Sequence, residues 1–212
     1  MSLLSRSLIS LFIFGLPALA GSSIEPIQNF YQVDDHVYRG AQPTDEGFKY
    51  LAKIGVKTIL DLREDDERSS AEEHVVTALG MEYVNIPMIG LTPPAEAQIS
   101  KILALLEDNT TGPVFVHCMQ GADRTGAVIA AYRIDQHHWD NARALSEANS
   151  DGMHFFQKPR KDWIRRFQAR TEEAKGIAKP ADANGVKTAA AATGAVQNSV
   201  PGSPPEPAAA NR

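Results

Sequence analysis

Between residues 33 and 167 the apolar positions change spacing repeatedly. Short runs of β-branched and aromatic residues give way to stripes recurring every three or four residues, with Gly, Pro, Thr or Asp at the joins. Val33 to Tyr38 predicts a first strand. Thr44 caps a helix through Phe48, Tyr50 and Leu51 that Gly55 stops, and V-K-T-I-L-D-L (56–62) follows as a strand. The same grammar repeats: Ser70 with Glu73 forms a capping box, Val75, Val76 and Leu79 make an apolar face, Gly80 ends the helix, and Tyr83 to Ile86 is strand. Thr92 caps a further helix with Pro93 at its first position and Ile99, Ile102, Leu103 and Leu106 buried, and Gly112-Pro113 breaks it.

Val114-Phe115-Val116 is continuously apolar, as in a strand buried on both faces. Thr125 to Gln136, rich in Ala, Val and Ile, predicts a buried helix. Asp140 caps another through Leu145, and Trp163, Ile164 and Phe167 stripe a last one. Strands alternating with helices predict one α/β domain with a central, largely parallel sheet flanked by helices. Ligands of such sheets bind at the carboxyl ends of the strands.

The two ends carry different patterns. Arg6 is the only charge before an apolar run of about 12 residues, Leu8 to Leu19, and Ala18-Leu19-Ala20 presents small residues where a signal peptidase reads them. The run falls short of the ~20 residues of a membrane span. Residues 1–20 are therefore expected to be a signal peptide cleaved after Ala20, which implies export and, by default, a periplasmic location. From 171 to 212 the chain lacks aromatics and is dominated by Ala, Pro, Gly, Asn, Ser and Thr, the composition of a disordered tail. Residues 22–170 remain as the folded domain.

The formal charge of −5 comes with no Lys/Arg stripe, which argues against nucleic acid or anionic lipid as a partner. The six histidines show no metal-ligand spacing, and neither a metal nor another cofactor is expected. Cys118 is the only cysteine. An exported domain more often pairs its cysteines, so a lone one is either a small buried hydrophobe or a working thiol.

Its surroundings favour the second. The segment V-F-V-H-C-M-Q-G-A-D-R-T-G (114–126) runs from a buried strand through a tight loop into a buried helix. Gly121 and Gly126 permit the turn. The loop amides and the helix N-terminus form an electropositive cup for a phosphate dianion, built from His117, Met119, Gln120, Gly121, Ala122 and Gly126 around the thiol. Arg124 returns to the rim, where its planar fork can hold two phosphate oxygens. Sulfur at the floor of such a cup is favoured in its nucleophilic form. Thr125 can hydrogen-bond the sulfur, and His117 can brace the loop wall.

His117-Cys118-x5-Arg124-Thr125-Gly126 resembles the signature of cysteine-dependent protein tyrosine phosphatases, and the domain length resembles their compact dual-specificity branch. V-Y-R-G-A-Q-P (37–43), V-K-T-I-L-D-L-R (56–63) and G-M-H (152–154) resemble bacterial exported members. The resemblance implies a phosphocysteine intermediate on Cys118, transition-state support from Arg124 and a phosphorylated protein as substrate. The family pattern has an acidic residue on a loop before the cysteine, where this chain has I-P-M-I-G-L-T (86–92). The leaving group still needs a proton. Asp123, beside Arg124, is expected to supply it, the alternatives being that Asp123 only caps the following helix or that Glu96 substitutes. Arg39 and Arg63 either touch the substrate or form surface ion pairs with neighbours such as Asp61. Phosphoinositide or inositol-phosphate hydrolysis, and phosphoprotein binding without turnover, are the competing functions.

Overall fold

The computed structural model describes residues 27–178. The elements are β1 (Tyr31–Gln32), β2 (Val37–Gly40), α1 (Asp45–Lys53), β3 (Thr58–Asp61), α2 (Glu67–Ala78), β4 (Glu82–Asn85), α3 (Glu96–Glu107), β5 (Val114–His117), α4 (Asp123–Gln136), α5 (Asn141–Ser150), α6 (Lys158–Arg166) and α7 (Glu172–Ala178). The sheet order is β1-β2-β5-β3-β4, with only β1 antiparallel. β5 is central, flanked by β2 and β3, so its carboxyl end opens between theirs. The expected α/β domain with a largely parallel sheet is the fold observed.

The pleat of β5 divides the core, because successive side chains point to opposite faces. Val114 and Val116 join Leu60, Ile99, Ile102, Leu103, Val128 and Ile129 in a cluster under α3 and α4. Phe115 joins Phe48, Leu51, Ile59 and Val76 under α1 and α2 on the other side. Ala127, Ala130, Ala144, Ala148 and Ile164 form a third cluster, where small residues let α4, α5 and α6 pack closely.

Four local expectations are corrected. The strand expected from Val33 begins at Val37, because Asp34 Oδ1 accepts from the N–H groups of His36 (2.9 Å) and Val37 (2.8 Å) and turns the chain there. Helix α2 starts earlier than Ser70: the Asp66 carboxylate accepts from the Arg68 and Ser69 amides, and Ser69 Oγ accepts from the Asp66 amide. Thr92 caps no helix; its hydroxyl donates to the Ile89 carbonyl (2.9 Å), and α3 begins four residues later. The expected tail opens with α7, which packs on α3. Just before it, Arg170 donates to Asp135 and Glu107, tying the segment between α6 and α7 to α4 and α3. The expected signal peptide and the tail beyond residue 178 lie outside the described residues. Among the described residues no helix is long and apolar enough to cross a membrane.

Candidate active site

β5 delivers His117 and Cys118 to the carboxyl edge of the sheet, and residues 118–122 link it to α4. Cys118 is 2 % exposed. Three consecutive loop carbonyls are turned outward onto donors from the segment 29–42, around β1 and β2. Met119 O accepts from the Gln42 amide (3.2 Å), Gln120 O from Asn29 Nδ2 (3.4 Å) and Gly121 O from Arg39. Each peptide is trans, so an outward carbonyl sends the next N–H to the opposite side. The amides of Gln120, Gly121 and Ala122 are thereby directed inward, a nest for an anion at the start of α4.

Gly121 is required twice over. Its φ is +68°, and a β-carbon would lie 2.5 Å from the Gly40 carbonyl and 2.6 Å from the Ala41 nitrogen. Gly126 lies outside the loop, within α4, where a β-carbon would crowd Met153 Cε at 3.3 Å; it serves the contact of α4 with α5 and the segment after it.

Arg124 lies in the first turn of α4. Its Nη1 donates to Glu64 Oε2 (3.0 Å) and reaches the Met88 carbonyl (3.5 Å). Glu64, the residue after D-L-R, therefore aims the arginine. Its own backbone N–H, then Arg124, hold its carboxyl below the usual range.

A thiol at a strand end, inward amides and an arginine on the rim match a known pattern. The family model described as DSP-PTPase phosphatase fused to NAD+ kinase matches residues 22–166. The chain belongs to this family. The dual specificity protein phosphatase TpbA of Pseudomonas aeruginosa is 30% identical over 137 residues, 65% of this chain and 60% of the relative. The probable chloroplastic NAD kinase 2 of rice is 35% identical over 101 residues, 45% of this chain and 10% of the relative. The inositol diphosphatase DSP5 of Arabidopsis thaliana is 29% identical over 133 residues, 60% of this chain and 63% of the relative. The chain thus spans less than two thirds of each. Two solved structures share the fold: TpbA with phosphotyrosine (TM-score 0.60, 23% identity, 74% of this chain and 93% of that one), and the core catalytic domain of the PP-IP phosphatase SIW14 of S. cerevisiae (0.62, 24%, 74% and 94%).

In this DSP-PTPase the loop wall rests on a buried charge network. His117 stacks on Phe115, and its Nε2 lies 2.8 Å from Glu72 Oε1. Glu72, from α2, also accepts from Arg63 Nη2 (2.5 Å) and Gln42 Nε2 (2.7 Å). Arg63 forks onto Asp61 as well (2.7–3.1 Å). Burial alone would raise the Asp61 pKa, but the Arg63 hydrogen bonds and the nearby His117 outweigh it and the carboxyl is held low. Asp61, Glu72 and His117 bring three donor atoms within 4.8 Å of one another. Arg63 already bonds both carboxylates, through Asp61 Oδ2 and Glu72 Oε2, and so supplies a positive charge to the cluster.

Several expected site residues are placed differently. Arg63 is buried in this network and pairs with Asp61 and Glu72 in the interior, not at the surface. Arg39 is fully buried too: besides Gly121 O it donates to Asp151 Oδ2 (2.5 Å) and lies over the Tyr31 ring at 5.1 Å. It is the buttress of the loop. Thr125 is fully buried, and its hydroxyl has no hydrogen-bond partner among the described residues, Cys118 Sγ included. Glu96 is exposed at the start of α3, and no described hydrogen bond or ion pair links it to the loop.

Asp123 does not cap α4 with its side chain. Its carboxylate accepts from the His154 amide (2.9 Å) and Gln157 Nε2 (3.0 Å) and lies 2.9 Å from His154 Nδ1, binding the G-M-H segment to the loop. Behind them Arg160 is 1 % exposed and donates to Gln157 Oε1 and the Gly90 carbonyl. Burial lowers its pKa, and the charges of Asp123, Arg124, Cys118 and Glu64 all act on it. Glu64, Glu72, Asp151 and Arg160 were not singled out from the sequence. Only Glu64, beside D-L-R, and Asp151, beside G-M-H, had a signal to find them by.

Proposed function

We propose that this phosphatase hydrolyses phosphotyrosine, with phosphoserine and phosphothreonine as further substrates, in exported or membrane-attached proteins. The observation that carries the reading is the set of outward carbonyls, which leaves three amides and Arg124 to hold the non-bridging oxygens above Cys118. Sulfur attacks phosphorus, the bond to the ester oxygen breaks, and that oxygen takes a proton. Water then attacks the phosphocysteine and expels the thiolate. Asp123 supplies and recovers the proton with His154 as its partner, since the two share a short contact beside Arg124. The TpbA relationship supports the phosphotyrosyl substrate. The similarity to an inositol diphosphatase supports inositol phosphates as the second reading. Against it, Met119, Gln120 and Ala122 add no cation to the loop, and Arg39 and Arg63 are committed to internal partners.

Steady-state kinetics on a phosphotyrosyl peptide, p-nitrophenyl phosphate and an inositol pyrophosphate tests this. The expected result is turnover of the peptide, at least about 10³-fold loss in Cys118→Ser, and in Asp123→Asn a loss on the peptide about 10²-fold, with little loss on p-nitrophenyl phosphate, whose leaving group needs no proton. Equal loss on both substrates would reduce Asp123 to a clamp. Faster turnover of the inositol pyrophosphate would replace the substrate assignment. Export to the periplasm rests on residues 1–20, and the mass of the mature chain, cut after Ala20, is its check.

A further inference from the structure

Six large apolar side chains stand exposed among the described residues, and five of them lie on the loop after Cys118 or on segments bonded to Asp123 and Arg124 at its end: Ile89 (69 %), Leu91 (49 %), Met119 (44 %), Phe155 (87 %) and Phe156 (47 %), with Tyr50 alone on α1. Scattered exposed apolar residues are ordinary, whereas a cluster marks a binding surface. Met119 directly follows Cys118. Ile89 and Leu91 flank Gly90, whose carbonyl accepts from Arg160 (2.8 Å), and the same guanidinium donates to Gln157, the residue after Phe156. Asp123 holds the latter segment to the loop through His154 and Gln157.

These side chains are presented on fixed backbone. Four successive carbonyls of the 87–90 segment are bonded: Pro87 by Gln98 Nε2 (2.5 Å), Met88 by Arg124, Ile89 by Thr92 and Gly90 by Arg160. Where the family pattern places an acid, this chain therefore holds a pinned apolar lip. Residues 86–92, 119–123 and 152–157 contain no lysine or arginine between them. Such a collar offers no lysine or arginine to the further phosphates of a polyphosphate, and much to apolar side chains beside a single one.

We propose that the collar reads the residues flanking a phosphotyrosine, so that the substrate is an extended phosphotyrosyl segment with large aliphatic or aromatic neighbours. This rests on the phosphoprotein reading above. The test compares kcat/KM for phosphotyrosyl peptides that differ only in having Leu and Phe, or Asp, on either side of the phosphotyrosine, using wild type, Ile89→Ser and Phe155→Ser. Wild type is expected to favour the apolar-flanked peptide about tenfold or more, as the burial of one large apolar side chain implies. Each variant is expected to lose most of that preference through KM, with the apolar-flanked peptide falling relative to p-nitrophenyl phosphate. Peptide turnover without a preference, or a preference that survives in both variants, overturns the collar and leaves the phosphoprotein reading standing. Turnover of inositol pyrophosphate and of no peptide overturns both. Binding to phosphatidylglycerol vesicles that Phe155→Ser abolishes, without any peptide preference, reassigns the collar to a lipid surface.

Discussion

At position 121 a side chain would have to occupy space 2.5 Å from the backbone of β2's last residue while its own φ stayed at +68°. Neither obstacle is a movable side chain. Gly121→Ala is therefore expected to cost on the order of 3 kcal/mol in stability, read by urea denaturation, and to lower kcat/KM on p-nitrophenyl phosphate at least about tenfold as the inward amides shift. An alanine variant with wild-type melting and rates would show that the loop can relax. Glycine at this place was legible in the chain because the Cys-x5-Arg spacing demands a tight turn. The role of Arg39 was not. Spacing marks an arginine near a strand end but is silent on whether it meets solvent, substrate or, as here, a carbonyl 82 residues away.

Among the elements, α2 does the most to support the site without touching it. Its start at Asp66, three residues before Ser69, sets the helical phase that turns Glu72 inward to His117, Arg63 and Gln42. Glu72→Ala would strand those three partners in a buried site, and is expected to lower stability by about 3–5 kcal/mol, measured by chemical denaturation. Glu72→Gln keeps the shape and a hydrogen-bonding oxygen, and is expected to fall between this variant and wild type. Ser70 and Glu73 satisfy the same capping pattern as Asp66 and Ser69. Pattern alone does not choose between two boxes a few residues apart; the packing of Val76 and the burial of Glu72 do. The segment 86–92 shows the converse case. Its missing carboxylate was plain in the chain, while the donors that bond its four carbonyls and fix the lip come from α3, α4, α6 and its own Thr92.

For the molecule as a whole, paired buried carboxylates set the response to acid. The folded pKa values of Asp61 and Asp135 lie below the ordinary carboxylate value, burial being outweighed by Arg63 and Arg170 respectively. Their contribution is fully present above about pH 4, the unfolded range, and is lost as pH falls through the lower folded values. At the alkaline end, burial and neighbouring carboxylates raise Tyr83 and Tyr132, so their contribution holds below about pH 10 and declines above it. Denaturation midpoints are expected to be level between about pH 5 and 9 and to fall on both sides; a midpoint rising steadily below pH 4 would contradict the Asp61 and Asp135 pairings.

The order of strands and helices, the buried strand β5, Cys118 at its carboxyl end and Arg124 on the next helix were all present in local spacing, because periodicity and a short loop are properties of neighbouring residues. The partners that hold this loop in place were settled by folding alone. Asp151 reaches Arg39 across 112 positions, Glu64 meets Arg124 across 60, and Arg160 holds Gly90 across 70. Contacts over such separations depend on which helix face turns toward which strand end, and that is decided when the whole core packs, leaving no period in the chain to read.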